Sequence, residues 1–195
     1  MPEELKRTKK DLADALRQLL AKKPLDQIRV REVTELCGIR RQSFYYHFTD
    51  VGQVFDWALE QERAGLTARQ EKCLTWQQAV ADLLAYTAEN RAFYLSVLKN
   101  RGRAGLRQVL GGAVENFLRS ALTYYQERSG APPNPAAEQA RLLWWRTMVL
   151  TLLEDWLEGN LCQPPEEVIN LLEQDLRDGM AGAAWRSLAR SDTME

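Results

Sequence analysis

Residues 28–48 read IRVREVTELCGIRRQSFYYHF. Val33 and Leu36 fall on one face of a short helical run over 31–36. Cys37-Gly38 ends that run, and the glycine supplies the permissive backbone that a tight turn between helices needs. Residues 41–48 form a second, aromatic-rich helical run. A short helix, a glycine turn and a second helix are the parts of a helix-turn-helix. In such a unit the second helix shows one face to base edges and buries the other. Residues four apart share a face. Phe44 and Phe48 are therefore expected inside, against Val33, Leu36 and the preceding helix. Arg41 and Tyr45 share another face with Gln42 nearby, and these are expected in the major groove. Arginine grips guanine O6/N7 and glutamine grips adenine N6/N7, each pair worth ~1–3 kcal/mol of discrimination. Ser43, Tyr46 and His47 lie on the flanks, where hydroxyl and imidazole N–H groups meet phosphate oxygens. Residues 38–48 include Arg40 and Arg41 and no acidic residue, which favours approach to DNA.

Upstream, Leu12, Ala15, Leu16, Leu19 and Leu20 recur at helical spacing. With Thr8 and Asp11 as a capping box, they predict an amphipathic helix over 8–22, ended by Pro24. Downstream, Asp50 caps a longer helix through Val54, Phe55, Ala58 and Leu59, and 51–69 forms one connecting helix. Helical periods continue over 75–89, 91–99, 104–128, 136–158, 166–178 and 181–190. Breaks fall at Arg101-Gly102, at 129–135, at Gly159-Asn160 and at Pro164-Pro165. No alternating run bounded by turn residues predicts a strand. The expectation is an all-α protein of nine or ten helices. A helix-turn-helix domain occupies 1–50 and a helical regulatory and dimerisation domain occupies 51–195.

Charge supports a division of labour. The 195 residues carry 26 Lys/Arg and 27 Asp/Glu, a formal charge of −1. Residues 1–50 hold 11 basic and 8 acidic side chains (+3), and the rest hold 15 and 19 (−4). A basic head on an acidic body hints at polyanion contact at one end. No apolar run approaches the ~20 residues of a membrane span, and MPEELKRTKK lacks the apolar core of a secretory signal. Cys37, Cys73 and Cys162 are odd in number and widely spaced, which fits neither a disulfide framework nor a zinc site. A reduced, cytoplasmic protein is expected. One histidine, and no phosphate-loop, nucleotide, nucleophile-elbow or zinc-protease motif, point away from an enzyme and from a cofactor.

The segment from Thr8 to Phe48, ending in FYYHF, resembles the DNA-binding domain of the TetR family of bacterial transcription regulators. RQSFYYHF and the later AYTAENRAFYLSVL resemble the branch of dihydroxyacetone-kinase operon activators. The resemblance implies a three-helix DNA-binding domain, a connecting fourth helix, and a helical domain for effector and dimer. It places Arg31 at a base- or backbone-contacting position of the second helix, and Arg41, Gln42 and Tyr45 at groove-facing ones. Ser43, Tyr46 and His47 match phosphate-contacting positions. Three departures stand out. Arg29 and Arg40 occupy positions where the family often has a capping hydroxyl, whose loss costs ~1 kcal/mol. Val51 stands where the family usually has a phosphate-binding lysine. Most relatives repress and are released by a small molecule, so a repressor is expected, although the kinase-operon branch contains activators.

In the body, the stretch 139–157 is apolar nearly all round. Leu142, Trp145, Val149, Leu152, Leu153 and Trp156 fall on one side, and Leu143, Trp144, Met148 and Leu150 widen the arc. Such a helix needs two covers, and a second subunit supplies one. With Val168, Ile169, Leu171, Leu172 and Leu176 on a companion helix, a four-helix dimer interface is expected. Its predicted residues are Leu142, Val149, Leu152, Leu153, Trp156, Val168, Leu171 and Leu172. A fully buried central helix in a monomer is the alternative. A homodimer fits a palindromic double-stranded operator. Trp76, Tyr86, Phe93, Tyr94, Tyr124, Trp144 and Trp145 are candidate aromatic walls for an effector, with Asn90, Asn116, Thr147 and Thr151 as polar points. Of these, Tyr86, Phe93, Tyr94, Trp144 and Trp145, with Met148, are the predicted effector contacts. Aromatics at helical spacing also serve simply as core. Two other functions remain in view: a co-regulator acting through a protein partner with weak or no DNA binding, and a helical enzyme or carrier, for which no nucleophile–base pair or metal set is present.

Overall fold

Helix ends in the N-terminal part follow from local chemistry. The computed structural model describes residues 3–129, 134–159 and 163–191. Among them are eight α-helices, one 3-10 turn and no strand. The first, α1 (Glu3–Leu20), starts before Thr8, because Glu, Leu, Lys and Arg at 3–7 are all strong helix formers and extend it backwards. Thr8 therefore lies inside the helix rather than at its cap. A 3-10 turn (Leu25–Gln27) follows Pro24. The next helix, α2 (Val30–Cys37), ends at Gly38, whose φ of 67° and ψ of 26° lie in the left-handed region that glycine enters without strain. There Gly38 N–H donates to Glu35 O at 3.2 Å and Ile39 N–H to Thr34 O at 3.0 Å, closing the helix. After it come α3 (Arg41–His47) and α4 (Val51–Gln70). Asp50 caps α4, its Oδ1 accepting from Gln53 N–H at 2.9 Å.

The chain divides into two compact units, Met1–Gly65 with Asn90–Val109, and Leu66–Glu89 with Leu110–Glu195. The boundary drawn from sequence at residue 50 lies inside the first unit.

In the first unit, α1 packs on α2, and α2 on α3. The core is built from Leu12, Leu16, Val33, Phe44, Val54 and Phe55. Leu36 is an exception. It is 48% exposed, so its expected place in the core is wrong. Within this unit helix α4 buries Val54, Phe55 and Ala58 at three- and four-residue spacing, and the next position of the stripe is a carboxylate, Glu62, 4% exposed. Glu62 Oε2 accepts from Arg17 Nη2 at 2.5 Å, and Oε1 accepts from the Tyr94 hydroxyl. The Arg17 guanidinium also lies 3.9 Å from the Phe93 ring centroid. Buried charge is thus both paired and stacked, which is what a low-dielectric core requires.

The second unit contains α5 (Trp76–Glu89), α7 (Pro135–Glu158) and α8 (Pro165–Ser191), with the C-terminal half of α6 (Arg91–Ser129). Asn134 caps α7, its Oδ1 accepting from Ala137 N–H at 3.1 Å. The predicted helices over 91–99 and 104–128 are the two helices of α6, which meet at a kink where the break at Arg101-Gly102 is expected: the φ of 65° and ψ of −174° at Gly102 are open to glycine alone. The predicted stop near residue 180 does not occur. Gly179 continues α8 and lies against Trp145, whose Cζ2 would be 2.8 Å from any Cβ placed there. That glycine makes room for a ring instead of ending a helix. Helix α5 packs on α8. Among the described residues, no helix is long and apolar enough to cross a membrane.

Candidate nucleic-acid interface

The seven residues of α3 divide cleanly by face. Phe44 is fully buried, and Phe48 just beyond the helix is nearly so, their rings 6.2 Å apart. Phe48 also meets Trp57 at 6.2 Å and carries Lys9 Nζ 5.4 Å from its ring centroid. These contacts clamp the inner face of α3. Arg40, Arg41, Gln42, Ser43 and Tyr45 are all exposed, and Tyr46 is 74% exposed. His47 is half-buried, its ring edge-on to Tyr46 at 5.2 Å. Burial lowers the His47 pKa below its ordinary value, and the nearby Lys9 charge adds to this. The imidazole is therefore neutral at pH 7. It has one N–H to donate.

Arg31 is also exposed, but its Nε donates to Glu35 Oε1 at 2.5 Å, one turn along α2. That bond, with the Glu35 charge behind it, raises the guanidinium pKa. Arg31 reaches a phosphate only by exchanging this partner. The exchange is inexpensive because the pair is open to water.

The missing hydroxyl cap at Arg29 is partly replaced. Glu32 Oε2 accepts the Arg29 backbone N–H at 3.0 Å, and Glu32 Oε1 accepts from Lys23 Nζ at 2.5 Å. The Lys23 bond, followed by the Arg29 N–H, holds the Glu32 carboxyl below the usual carboxylate range. Arginine has no acceptor, so only this half of a capping box forms. At Arg40 no side-chain cap forms. Val51 is buried at the start of α4.

The residues expected to hold an effector are dispersed. Phe93 and Tyr94 are core residues of the first unit, committed to Phe55, Arg17 and Glu62. In the second unit Tyr86 is half-buried under the Arg69 guanidinium, 4.4 Å from its ring centroid. Trp145 faces Gly179, Met148 is half-buried, and Trp144 is 80% exposed. None of the six lines the apolar cavity of the second unit. Aromatic periodicity marks burial, not enclosure.

That cavity, about 230 Å³, has aliphatic walls. Seven of the eight residues predicted for the dimer interface line it: Val149, Leu152, Leu153, Trp156, Val168, Leu171 and Leu172. Leu142, the eighth, is buried elsewhere on α7. Val80, Leu83, Leu84 and Phe117 complete the apolar wall, with Gln163 and Asp175 as polar members. Sequence reading missed these α5 and α6 residues. Their signal was the apolar stripe Val80, Leu83, Leu84 facing no assigned partner. Leu143, Trp144 and Leu171 stay exposed.

Of the thiols, Cys37 Sγ donates to Asp11 O at 3.3 Å, and burial, with Asp11 and Asp14 nearby, pushes its pKa up to about 11. Burial also raises the Cys73 pKa. Cys162 lies outside the described residues.

Comparison with known proteins agrees with this architecture. Residues 74–178, more than half the chain, match the model of the TetR-type transcriptional regulator C-terminal region. The dhaKLM operon transcriptional activator DhaS of Lactococcus lactis is 31% identical over 90 residues, 46% of this chain and 48% of the relative. The matched stretch thus spans about half the length of that curated relative. A solved structure of a dihydroxyacetone kinase operon activator, DhaS, superposes with a TM-score of 0.72 at 20% identity, covering 89% of this chain and 96% of that one. A candidate TetR-family transcriptional regulator from Mesorhizobium loti superposes with a TM-score of 0.58 at 18% identity, over 92% and 96% of the two chains. At these identities the superpositions speak for the fold, and the family match carries the assignment: the chain belongs to the TetR family of transcriptional regulators.

Proposed function

We propose that the protein is a homodimeric, sequence-specific DNA-binding regulator, located in the cytoplasm, whose α3 enters the major groove. The observation that carries this is the division of α3. Phe44 is locked into the core while Arg41, Gln42, Tyr45 and Tyr46 stand outward on a stretch with no acidic side chain. Arg41 and Gln42 read base edges with Tyr45 beside them. Arg31, Arg40, Ser43, Tyr46 and His47 hold the phosphates. The reading domain is residues 1–50, and two copies place their α3 helices ~34–36 Å apart on a palindrome. The exposed Leu143, Trp144 and Leu171 belong to the face between copies. The aliphatic cavity takes a small apolar effector, which acts through its different affinity for the competent and incompetent spacings.

The sign of regulation has two readings. The family at large favours repression. The name of the relative DhaS favours activation, and a promoter–reporter fusion with and without the protein distinguishes them. The main test is gel-shift binding to a sequence selected from random duplex DNA. A protein contacting 6–10 phosphates loses ~10³–10⁵ in affinity between 50 and 200 mM salt. Salt-insensitive or absent binding refutes direct DNA recognition. It would favour a co-regulator working through a protein partner, a reading that Arg31 bound to Glu35 and Val51 in place of a lysine support.

A further inference from the structure

The aliphatic cavity of the second unit is one-sided in charge. Its inner end is formed by buried side chains, among them Leu83, Leu84, Val149 and Leu153. Gln163 and Asp175 line it and are also exposed, so they stand where the cavity meets solvent. Asp175 is the only charged residue of the lining, and no lysine or arginine lines it. Arg177, two residues further along α8, donates instead to Glu173 Oε1 at 3.2 Å. Trp156 carries the one ring N–H of the lining, and that group donates to Gln163 O at 3.3 Å.

We propose that the effector of this cavity is a small organic cation: a linear aliphatic body inside, with a protonated amine at the mouth beside Asp175. The proposal rests on the cavity being the effector site and adds the charge of the effector. The cavity makes the site, and the carboxylate chooses the head group.

A volume of about 230 Å³ holds roughly eight groups of the ~30 Å³ that one water takes, so a chain of about eight carbons fills it. Burial of that chain supplies affinity whatever the head group. Ligands of equal chain are then told apart at the mouth. An ammonium has three N–H donors and opposite charge to Asp175. A carboxylate or phosphate meets like charge there, and with Trp156 committed, the Gln163 amide is the only other side-chain donor of the lining. The preference needs only the Asp175 charge near the mouth, since an ammonium on a flexible chain adjusts its own position. The flanking sequence has the same sign. Residues 149–158 hold three carboxylates and no basic side chain, and residues 165–178 hold five carboxylates and one arginine. A mouth flanked by one sign concentrates the opposite ion. A second copy seated on the Leu171 face presents the same patch, so the sign does not change.

The test is calorimetry of the full chain with three probes of one chain length: n-octylammonium, 1-octanol and octanoate, at neutral pH and low salt. Octylammonium is expected to bind tightest and octanoate weakest, with about tenfold between them. Asp175→Asn, at an exposed position, weakens octylammonium by about fivefold and leaves octanol unchanged, and added salt has the same selective effect. Leu152→Trp, which fills the cavity, abolishes binding of all three, and if that variant fails to fold Asp175→Asn still decides. Octanol or octanoate bound as tightly as octylammonium, or octylammonium affinity unmoved by Asp175→Asn, overturns the proposal and leaves an apolar effector with a different head group. Full affinity in a folded Leu152→Trp protein moves binding away from the cavity and overturns it as well. No saturable binding of any probe overturns the cavity as effector site, and the proposal with it.

Discussion

Arg17 Nη2 lies 2.5 Å from Glu62 Oε2, joining α1 to α4 inside the first unit. Glu62 is almost fully buried, and its other oxygen is held by the Tyr94 hydroxyl. Removing one partner of such a pair strands the other in low dielectric. Arg17→Met is expected to destabilise the protein by about 3 kcal/mol, read by urea denaturation. Arg17→Lys recovers little of this, because lysine lacks the planar group that stacks on Phe93. A midpoint shift too small to resolve would show that the pair contributes nothing.

Arg41 and His47 separate specificity from affinity. Arg41→Ala is expected to lose about 1–3 kcal/mol on the selected sequence and far less on unrelated DNA. His47→Ala weakens binding to both about equally, since it removes a phosphate contact. Competition gel shifts measure the two ratios. Unchanged operator affinity in both variants would reassign the groove face.

His47 also sets a pH dependence. Its pKa in the folded protein is depressed by burial and then by Lys9. Its contribution to stability is therefore present above the unfolded value, ~6.5, and is lost as pH falls through the lower folded value. DNA phosphates favour the imidazolium, so binding takes up a proton in that window. Affinity for any duplex is expected to rise as pH drops below ~6.5, and His47→Gln should abolish that component. Titration of binding from pH 7.5 to 5.5 in both proteins checks the sign.

Cys37 is a poor candidate for a redox sensor. With a pKa of about 11 it is almost wholly protonated at neutral pH. Alkylation by iodoacetamide at pH 7.5 is expected to be roughly two orders of magnitude slower than for a free thiol of pKa ~8.5. Rapid labelling followed by mass spectrometry would contradict the environment described for it.

The inner and outer faces of α3 were legible because i, i+4 spacing over Phe44 and Phe48 has one solution on a helix this short. Gly38 and Asp50 were legible because turn and cap chemistry is local. Leu36 was not, since whether an apolar side chain finds cover depends on how much apolar surface faces it. The effector contacts were not legible either. Phe93 and Tyr94 carry the same helical spacing as Tyr86, and nothing local shows that they commit to Glu62 and Arg17. Glu62 itself left a trace: a carboxylate at the inward position that follows Phe55 and Ala58 signals a buried pair.

Gly102 has a genetic consequence. Around it there is open space, with no heavy atom within 4 Å of where a Cβ would sit, so volume alone predicts tolerance of many residues. Its φ of 65° and ψ of −174° predict the opposite. Saturation mutagenesis should therefore find a codon intolerant to missense change despite empty surroundings. The selection there acts on backbone geometry. A side chain at 102 would drive the chain towards one uninterrupted rod and displace Arg101, whose Nη1 now covers the Asn100 carbonyl at 3.2 Å.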